Sequence, residues 1–242
     1  MLMLSPRLQN YLPKFFLCPG CRHPTHQVIC ASCERLILRN TQILCSHHES
    51  IQGIAPLVYA FETTQAIIRK WKEYRGSQLQ RILFQVPEVL RKQLIELHFF
   101  AIVPIPQNQK RSFNRGQDSA YEIAQHYSKA LDLPLLPLLE LKSKDPDRQT
   151  GLGHFDREFS KNPFQIHTQF GWNSPLFRRL EEKVLNGEEI RILLVDDLIT
   201  SGSTLTKSAK VIQSFLPRSK IWAGSIGYRP KSNRVLAHVQ LR

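Results

Sequence analysis

Two adjacent carboxylates, Asp196 and Asp197, follow a run of aliphatic residues and precede a loop of hydroxyl side chains around one glycine. The loop consists of Thr200, Ser201, Gly202, Ser203 and Thr204. In a parallel sheet, an aliphatic strand ends at the edge where α/β proteins bind their ligands. A helix is predicted to begin near Ser203, and backbone N–H groups converge at a helix N-terminus. The loop is therefore suited to hold a phosphate group.

The two carboxylates would repel a phosphate, so they must address another part of the ligand. Ribose hydroxyls can donate to carboxylate oxygens, and Mg²⁺ nearby would screen the negative charge. The pattern therefore predicts a sugar-phosphate site. It lacks the Gly-x-x-x-x-Gly-Lys-[Ser/Thr] spacing of a Walker A loop. The alternative is an ordinary strand, turn and helix capped by Thr and Ser side chains.

A second group of residues, near the N-terminus, has the spacing of metal ligands. Cys18 and Cys21 form CPGC, and Cys30 and Cys33 form CASC eight residues later. Two such pairs supply the four thiolates of a closed tetrahedral zinc site, which would be structural because no coordination position stays open. The alternatives are free buried thiols or a redox-active pair. Cys45 is left over and is predicted to be a free thiol.

The elements that must position these residues alternate between strands and helices, which predicts an α/β fold with a mainly parallel sheet and flanking helices. Buried strands are predicted over 99–105 and RILLVDD, a final strand over SKIWAGSIGYRP, and a short strand or extended segment at LPLLPLLEL. Helices are predicted at TTQAIIRKWKEY, over 116–131, within 171–190 ending at Asn186-Gly187, and from Ser203. One further helix, SQLQRILFQVPEVLRKQLIEL, should be bent or split at Pro87.

The totals describe a chain of 242 residues with 42% hydrophobic residues, enough for a medium-sized core. The formal charge of +13 favours a polyanionic partner, although a purely solubilising surface would also carry such charge. No apolar run approaches the ~20 residues of a spanning helix. The opening segment lacks the apolar core and cleavage site of a signal peptide, so the protein is expected in the cytoplasm.

The aliphatic strand, the Asp-Asp pair and the Thr-Ser-Gly-Ser-Thr loop resemble the signature of type I phosphoribosyltransferases, which bind phosphoribosyl pyrophosphate (PRPP). The doubled cysteine pairs ahead of this core resemble the ComF family. Further segments similar to that family are IIRKWKEYRG at 67–76, VPIP at 103–106 with KRSFNRG, and QTGLGHFDRE at 149–158. The resemblance covers nearly the whole chain. It implies a zinc-finger region over 1–48 and a phosphoribosyltransferase-like domain over 49–242.

The same resemblance implies roles for individual residues. Asp196 and Asp197 would bind ribose and Mg²⁺ as the catalytic pair, and residues 200–204 would bind the 5′-phosphate of PRPP. The pyrophosphate loop is expected after the first core strand, where two X-Pro bonds tolerate a cis peptide at about 0.5–1 kcal/mol. The further PRPP ligands predicted there are Val103, Pro104, Lys110, Arg111 and Arg115. For the three cations the alternative is a solvated basic face.

Two segments depart from the family pattern. The family commonly has Arg-Gly-Phe-Asn-Gln where this chain has RSFNR at 111–115, which changes the basic loop. Residues 171–189 resemble an insertion before the main strand and would alter the mouth of the site. No acceptor pocket is recognisable in the sequence, so transfer of phosphoribosyl to an acceptor is expected only if the site turns over.

A second hypothesis is single-stranded-DNA binding, because ComF proteins are associated with DNA uptake in natural transformation. DNA-uptake proteins would then be partners as well. Basic and aromatic residues that could pair with phosphates and stack on bases are Arg69, Lys70, Trp71, Lys72, Tyr74 and Arg75. The alternative is an ordinary amphipathic helix with Trp71 in the core. A third hypothesis is a structural adaptor with a vestigial site.

Overall fold

The computed structural model describes most of the chain. The described residues are 16–25, 29–38, 43–46, 50–59, 62–74, 77–107, 118–142, 162–167 and 174–229. Three predicted PRPP ligands, Lys110, Arg111 and Arg115, lie outside these residues, and so does the family-like segment 149–158.

Strands and helices alternate from residue 99 onward, as predicted. In chain order the strands are β1 (Phe16–Leu17), β2 (Pro24–Thr25), β3 (Leu44–Cys45), β4 (Gly53–Tyr59), β5 (Ala101–Pro104), β6 (Leu139–Leu141), β7 (Phe164–Ile166), β8 (Ile190–Ile199) and β9 (Ser219–Tyr228). The helices are α1 (Ala31–Leu38), α2 (Glu62–Tyr74), α3 (Ser77–Leu83), α4 (Glu88–Glu96), α5 (Ser119–Leu131), α6 (Pro175–Leu185) and α7 (Ser203–Phe215).

The central sheet has five strands in the order β3-β4-β9-β8-β5. The four strands β4, β9, β8 and β5 are parallel to one another, and β3 adds an antiparallel edge beside β4. Two separate hairpins, β1-β2 and β6-β7, complete the strands of the described residues. The predicted α/β fold with a mainly parallel sheet and flanking helices is confirmed.

Helices cover both faces of this sheet, and β8 shows how its side chains divide between them. Leu193 and Val195 belong to a core shared with α2 to α5 and with the N-terminal segment. Ile192 and Leu194 belong to the core on the opposite face, which is shared with α6 and α7. This alternation is the period of two expected for a strand buried on both faces.

Local sequence signals explain several element boundaries. Pro87 separates α3 from α4, as predicted. Ser174 caps α6 by accepting from the N–H of Phe177, and α6 ends at Leu185 before Gly187, whose φ of 67° favours glycine. β8 is longer than the predicted RILLVDD, because its parallel pairing with β9 continues to Ile199 opposite Tyr228.

The N-terminal segment packs directly on the sheet and on α2. Ile29, Ile37 and the buried Cys18 and Cys33 belong to the same core as Trp71 of α2. No helix among the residues that the structure describes is both long and apolar enough to cross a membrane.

Candidate functional site

The four paired cysteines converge. The Sγ atoms of Cys18, Cys21, Cys30 and Cys33 all lie within 4.8 Å of one another, and those of Cys21 and Cys30 are 3.5 Å apart. A tetrahedral zinc site with Zn–S bonds of about 2.3 Å has S–S edges of about 3.8 Å, so this cluster fits a zinc ion with small side-chain shifts. The predicted set of four metal ligands is therefore brought together by the fold.

The environment of these thiols also suits a cation. Burial opposes ionisation of Cys18, but N–H groups of Cys30, Cys21 and Gly20 outweigh it and lower the pKa of Cys18 to about 6. The N–H of Cys30 donates to its Sγ at 3.4 Å. Burial and the neighbouring sulfurs raise the pKa of Cys33. Four clustered thiolates repel one another, and a bound divalent cation would remove that repulsion.

Gly20, between the first two cysteines, marks a close approach of this cluster to α2. A Cβ atom added at Gly20 would lie 2.8 Å from Cγ2 of Thr63, 2.9 Å from Sγ of Cys33 and 3.1 Å from Cδ1 of Ile67. Ordinary contacts need about 3.5–4.0 Å. The four-cysteine cluster is therefore pressed against the first half of α2.

The second half of α2 leads to the carboxylate pair at the end of β8. Following the alternation of β8, Asp196 faces the α7 side of the sheet, and Asp197 faces the side covered by α2 and α5. The neighbours of each carboxylate agree with this. Asp196 lines a small cavity with residues 198–205, whereas Asp197 accepts a hydrogen bond from Lys72 of α2.

The loop 200–204 has the geometry of an anion site. Gly202 adopts φ 71°, ψ 2° as the N-cap of α7 and has no side chain to cap the helix. The N–H of Ser203 donates to Oγ of Ser201 at 3.4 Å. Thr206 is bonded back to the carbonyl of Gly202, which begins the helix. Thr204 and Leu205, whose N–H groups are the other two of the first turn, line the cavity that Asp196 also lines. The structure brings Thr200, Ser201, Gly202, Ser203 and Thr204 together with Asp196.

Asp196 lies in a place that disfavours its charge. Burial, followed by the charge of the adjacent Asp197, raises the pKa of Asp196 to about 7, although Lys72 opposes this effect. The backbone N–H of Asp197 donates to Asp196 Oδ1 at 2.8 Å, which orients the carboxyl group. Near neutral pH, Asp196 can therefore gain or lose a proton. When it is ionised, it can accept a hydrogen bond from a ligand hydroxyl.

Asp197 is part of a polar network that spans three elements. Its Oδ2 accepts from Nζ of Lys72 at 2.6 Å and from Nε2 of Gln107 at 3.1 Å. Gln107 follows β5, and its backbone N–H donates at 3.4 Å to Asp118, the N-cap of α5. The sequence pattern names Lys72 only as a candidate contact for DNA phosphates, and its distance from the Asp pair along the chain gives no signal of this contact.

Val103 and Pro104 are placed on β5, next to β8. Val103 is fully buried and pairs with Leu194, and Pro104 pairs with Val195, so their side chains belong to the core. All peptide bonds of the described residues are trans. Gln107, three residues further on, is the residue of this segment whose side chain reaches the carboxylate pair.

The tryptophan of the basic and aromatic segment is a core residue. Trp71 is fully buried and packs edge-on against Phe84, with ring centroids 5.0 Å apart. The core alternative for Trp71 is therefore confirmed, and Trp71 cannot stack on a base in this structure. Arg69 on the same helix is exposed.

Taken together, the fold and site define an α/β protein with four parallel strands, a four-cysteine cluster that fits zinc, and a carboxylate pair beside the N-terminus of α7. The chain is similar to Competence protein F of Haemophilus influenzae, with 31% identity over 124 residues. The similarity covers 50% of this chain and 48% of that protein, so the chain matches about half the length of that relative. No protein-family model matches the chain. The similarity supports the resemblance to the ComF family that the motifs indicate.

Proposed function

We propose that the chain binds PRPP, or a closely related sugar phosphate, at the end of β8. The observation that carries this proposal is the shared cavity of Asp196 and the loop 200–204. This cavity combines an anion site, the loop 200–204, with a carboxylate, Asp196, that can accept from hydroxyl groups. A ligand that carries both a phosphate and vicinal hydroxyls matches this combination.

In this proposal each part of the site has its own task. First-turn N–H groups of α7 and the hydroxyls of Ser201 and Thr204 hold the 5′-phosphate, and the positive φ of Gly202 lets the backbone approach it closely. Asp196 and Asp197 accept from the ribose hydroxyls. Their carboxylate oxygens also suit Mg²⁺, which would screen the charge between ligand and protein.

If the site turns over, the reaction is phosphoribosyl transfer. A nucleophile forms a bond to C1 of the ribose while the bond from C1 to the pyrophosphate oxygen breaks, and pyrophosphate leaves with the bonding electron pair. The chain's contribution would be to hold the ribose in position and to stabilise the leaving group. Gln107 and the three cations Lys110, Arg111 and Arg115 are the candidates for that second task.

Calorimetric titration of PRPP with Mg²⁺ tests the proposal. We expect micromolar binding to the zinc-loaded protein and its loss in an Asp196→Asn/Asp197→Asn double variant. A Ser214→Ala variant, at an exposed position near the far end of α7, is the control and should bind normally. A folded wild type that does not bind PRPP would refute the proposal.

A role in DNA uptake is the second candidate, and the name of the relative together with the charge of +13 favours it. In this role the protein would act in the cytoplasm, where reducing conditions preserve zinc-binding thiolates. Binding to a single-stranded oligonucleotide should then weaken steeply with salt and strengthen with oligonucleotide length. It should not require the Asp pair or Mg²⁺, which separates it from PRPP binding.

A further inference from the structure

Lys72 contacts the carboxylate pair from α2, which is part of neither the sheet nor the loop 200–204. Its Nζ lies 2.6 Å from Oδ2 of Asp197, and the two side chains are only 19% and 18% exposed. A pair at this depth is shielded from salt and solvent more than a surface pair, so its charge state affects the site more strongly.

The geometry leaves one side of Asp197 open. Lys72 and Gln107 both donate to Oδ2, and among the described residues no donor to Oδ1 is found. Two donors on one oxygen fix the orientation of the carboxylate, while Oδ1 stays available to accept from a ligand. Lys72 and Gln107 can therefore hold Asp197 in place while its Oδ1 contacts a ligand.

The charge balance gives Lys72 a second effect. Asp196 and Asp197 are adjacent, and Asp118 at the start of α5 adds a third carboxylate that raises the pKa of Asp196. Lys72 forms an ion pair with Asp197, one of these three carboxylates. Without it, an anionic ligand would meet a more negative cluster.

We infer that Lys72 is a positioning residue of the sugar-phosphate site, which orients Asp197 through Oδ2 and supplies the positive charge that lets a phosphorylated ligand approach the acidic pair. The inference rests on the proposed function and assigns to α2 a part in ligand binding. Since the first half of α2 is packed against the four-cysteine cluster, the same helix connects that cluster with the ligand site.

The first test measures the ion pair without any ligand. Acetylation of lysine amines by a reactive ester, read by mass spectrometry, should be slow at Lys72 and fast at the exposed Lys129. An Asp197→Asn variant should speed the reaction at Lys72 and leave Lys129 unchanged. Equal rates at Lys72 in both proteins would overturn the inference, because the amine would then not be held by Asp197.

The second test measures PRPP binding over a series of Mg²⁺ concentrations. Lys72→Met keeps the length of the aliphatic stem and removes the charge. We expect roughly tenfold or greater weakening at low Mg²⁺, as for loss of a charged hydrogen bond. The deficit should shrink as Mg²⁺ rises, because the cation replaces the missing charge. Lys72→Arg should keep most of the affinity, and Lys129→Met, the control, all of it.

The outcomes separate the two proposals. If the wild type binds PRPP and Lys72→Met binds equally well at every Mg²⁺ concentration, the inference fails and the proposed function stands. A deficit in Lys72→Met that does not depend on Mg²⁺ and that Lys72→Arg does not rescue would show a packing role only, and would also overturn it. If the wild type does not bind PRPP, the proposed function fails and the inference fails with it.

Discussion

Replacing Gly20 by alanine tests whether the four-cysteine cluster is pressed against α2. The new Cβ would lie within 3.1 Å of three atoms, which belong to Thr63, Cys33 and Ile67. Two of the three atoms are on α2, and the third is a sulfur of the cluster, so the methyl group has no free direction in which to move. The variant therefore forces the cluster and the helix apart by a few tenths of an ångström.

The magnitude combines two opposing effects. Overpacking in a well-packed interior costs about 1–3 kcal/mol. The described glycines with positive φ are Gly187 and Gly202, so Gly20 has no conformation that alanine would strain. Alanine therefore also restricts the unfolded chain, which returns about 0.4–1 kcal/mol. The free energy of unfolding should fall by about 1.3 kcal/mol, the difference between the midpoints of the two ranges.

Urea unfolding with a count of bound zinc is the assay. A second variant, Gly20→Ala/Thr63→Ser, removes the Cγ2 atom that lies nearest to the added methyl group. It should recover part of the lost stability, and the double-mutant cycle with Thr63→Ser alone measures that coupling. If Gly20→Ala is as stable as the wild type with the same zinc content, the close packing of the cluster on α2 is refuted.

Three further predictions concern the metal, the buried carboxyl group and the core tryptophan. Cys18→Ser should lose bound zinc and melt at a lower temperature, whereas Cys45→Ser should keep its zinc; equal metal content in both would contradict the four-cysteine site. Since burial raises the pKa of Asp196 from 3.8 to about 7, the ionised form destabilises the folded state, and the free energy of unfolding should fall as pH rises from about 4 to about 7 and level off above that. Asp196→Asn should abolish that fall, which is on the order of 2–4 kcal/mol, in urea titrations at about pH 5 and about pH 8. Trp71→Phe should cost about 0.5–3 kcal/mol of stability and leave oligonucleotide affinity unchanged; weaker DNA binding by a folded variant would mean that Trp71 becomes exposed.

Much of the local structure follows from the sequence because short-range chemistry decides it. Pro87 cannot continue a helix, and Ser174 followed by Pro175 begins one, so these boundaries were predictable. The sequence pattern predicts the end of β8 too early, at Asp197. Two charged residues suggest the end of a buried strand, but backbone pairing with β9 continues to Ile199.

The sequence by itself determined the α/β alternation, the four thiols of one metal site and the nearness of Asp196 to the loop 200–204, because each depends on residues close together along the chain. Only the tertiary structure decided that Lys72 and Gln107 meet Asp197. They are 125 and 90 residues away from it, on α2 and in the segment after β5. Such contacts depend on the crossing of α2 over the sheet and on the order of its strands. A helical period shows which face of α2 is apolar, but not which carboxylate a lysine at its end will reach.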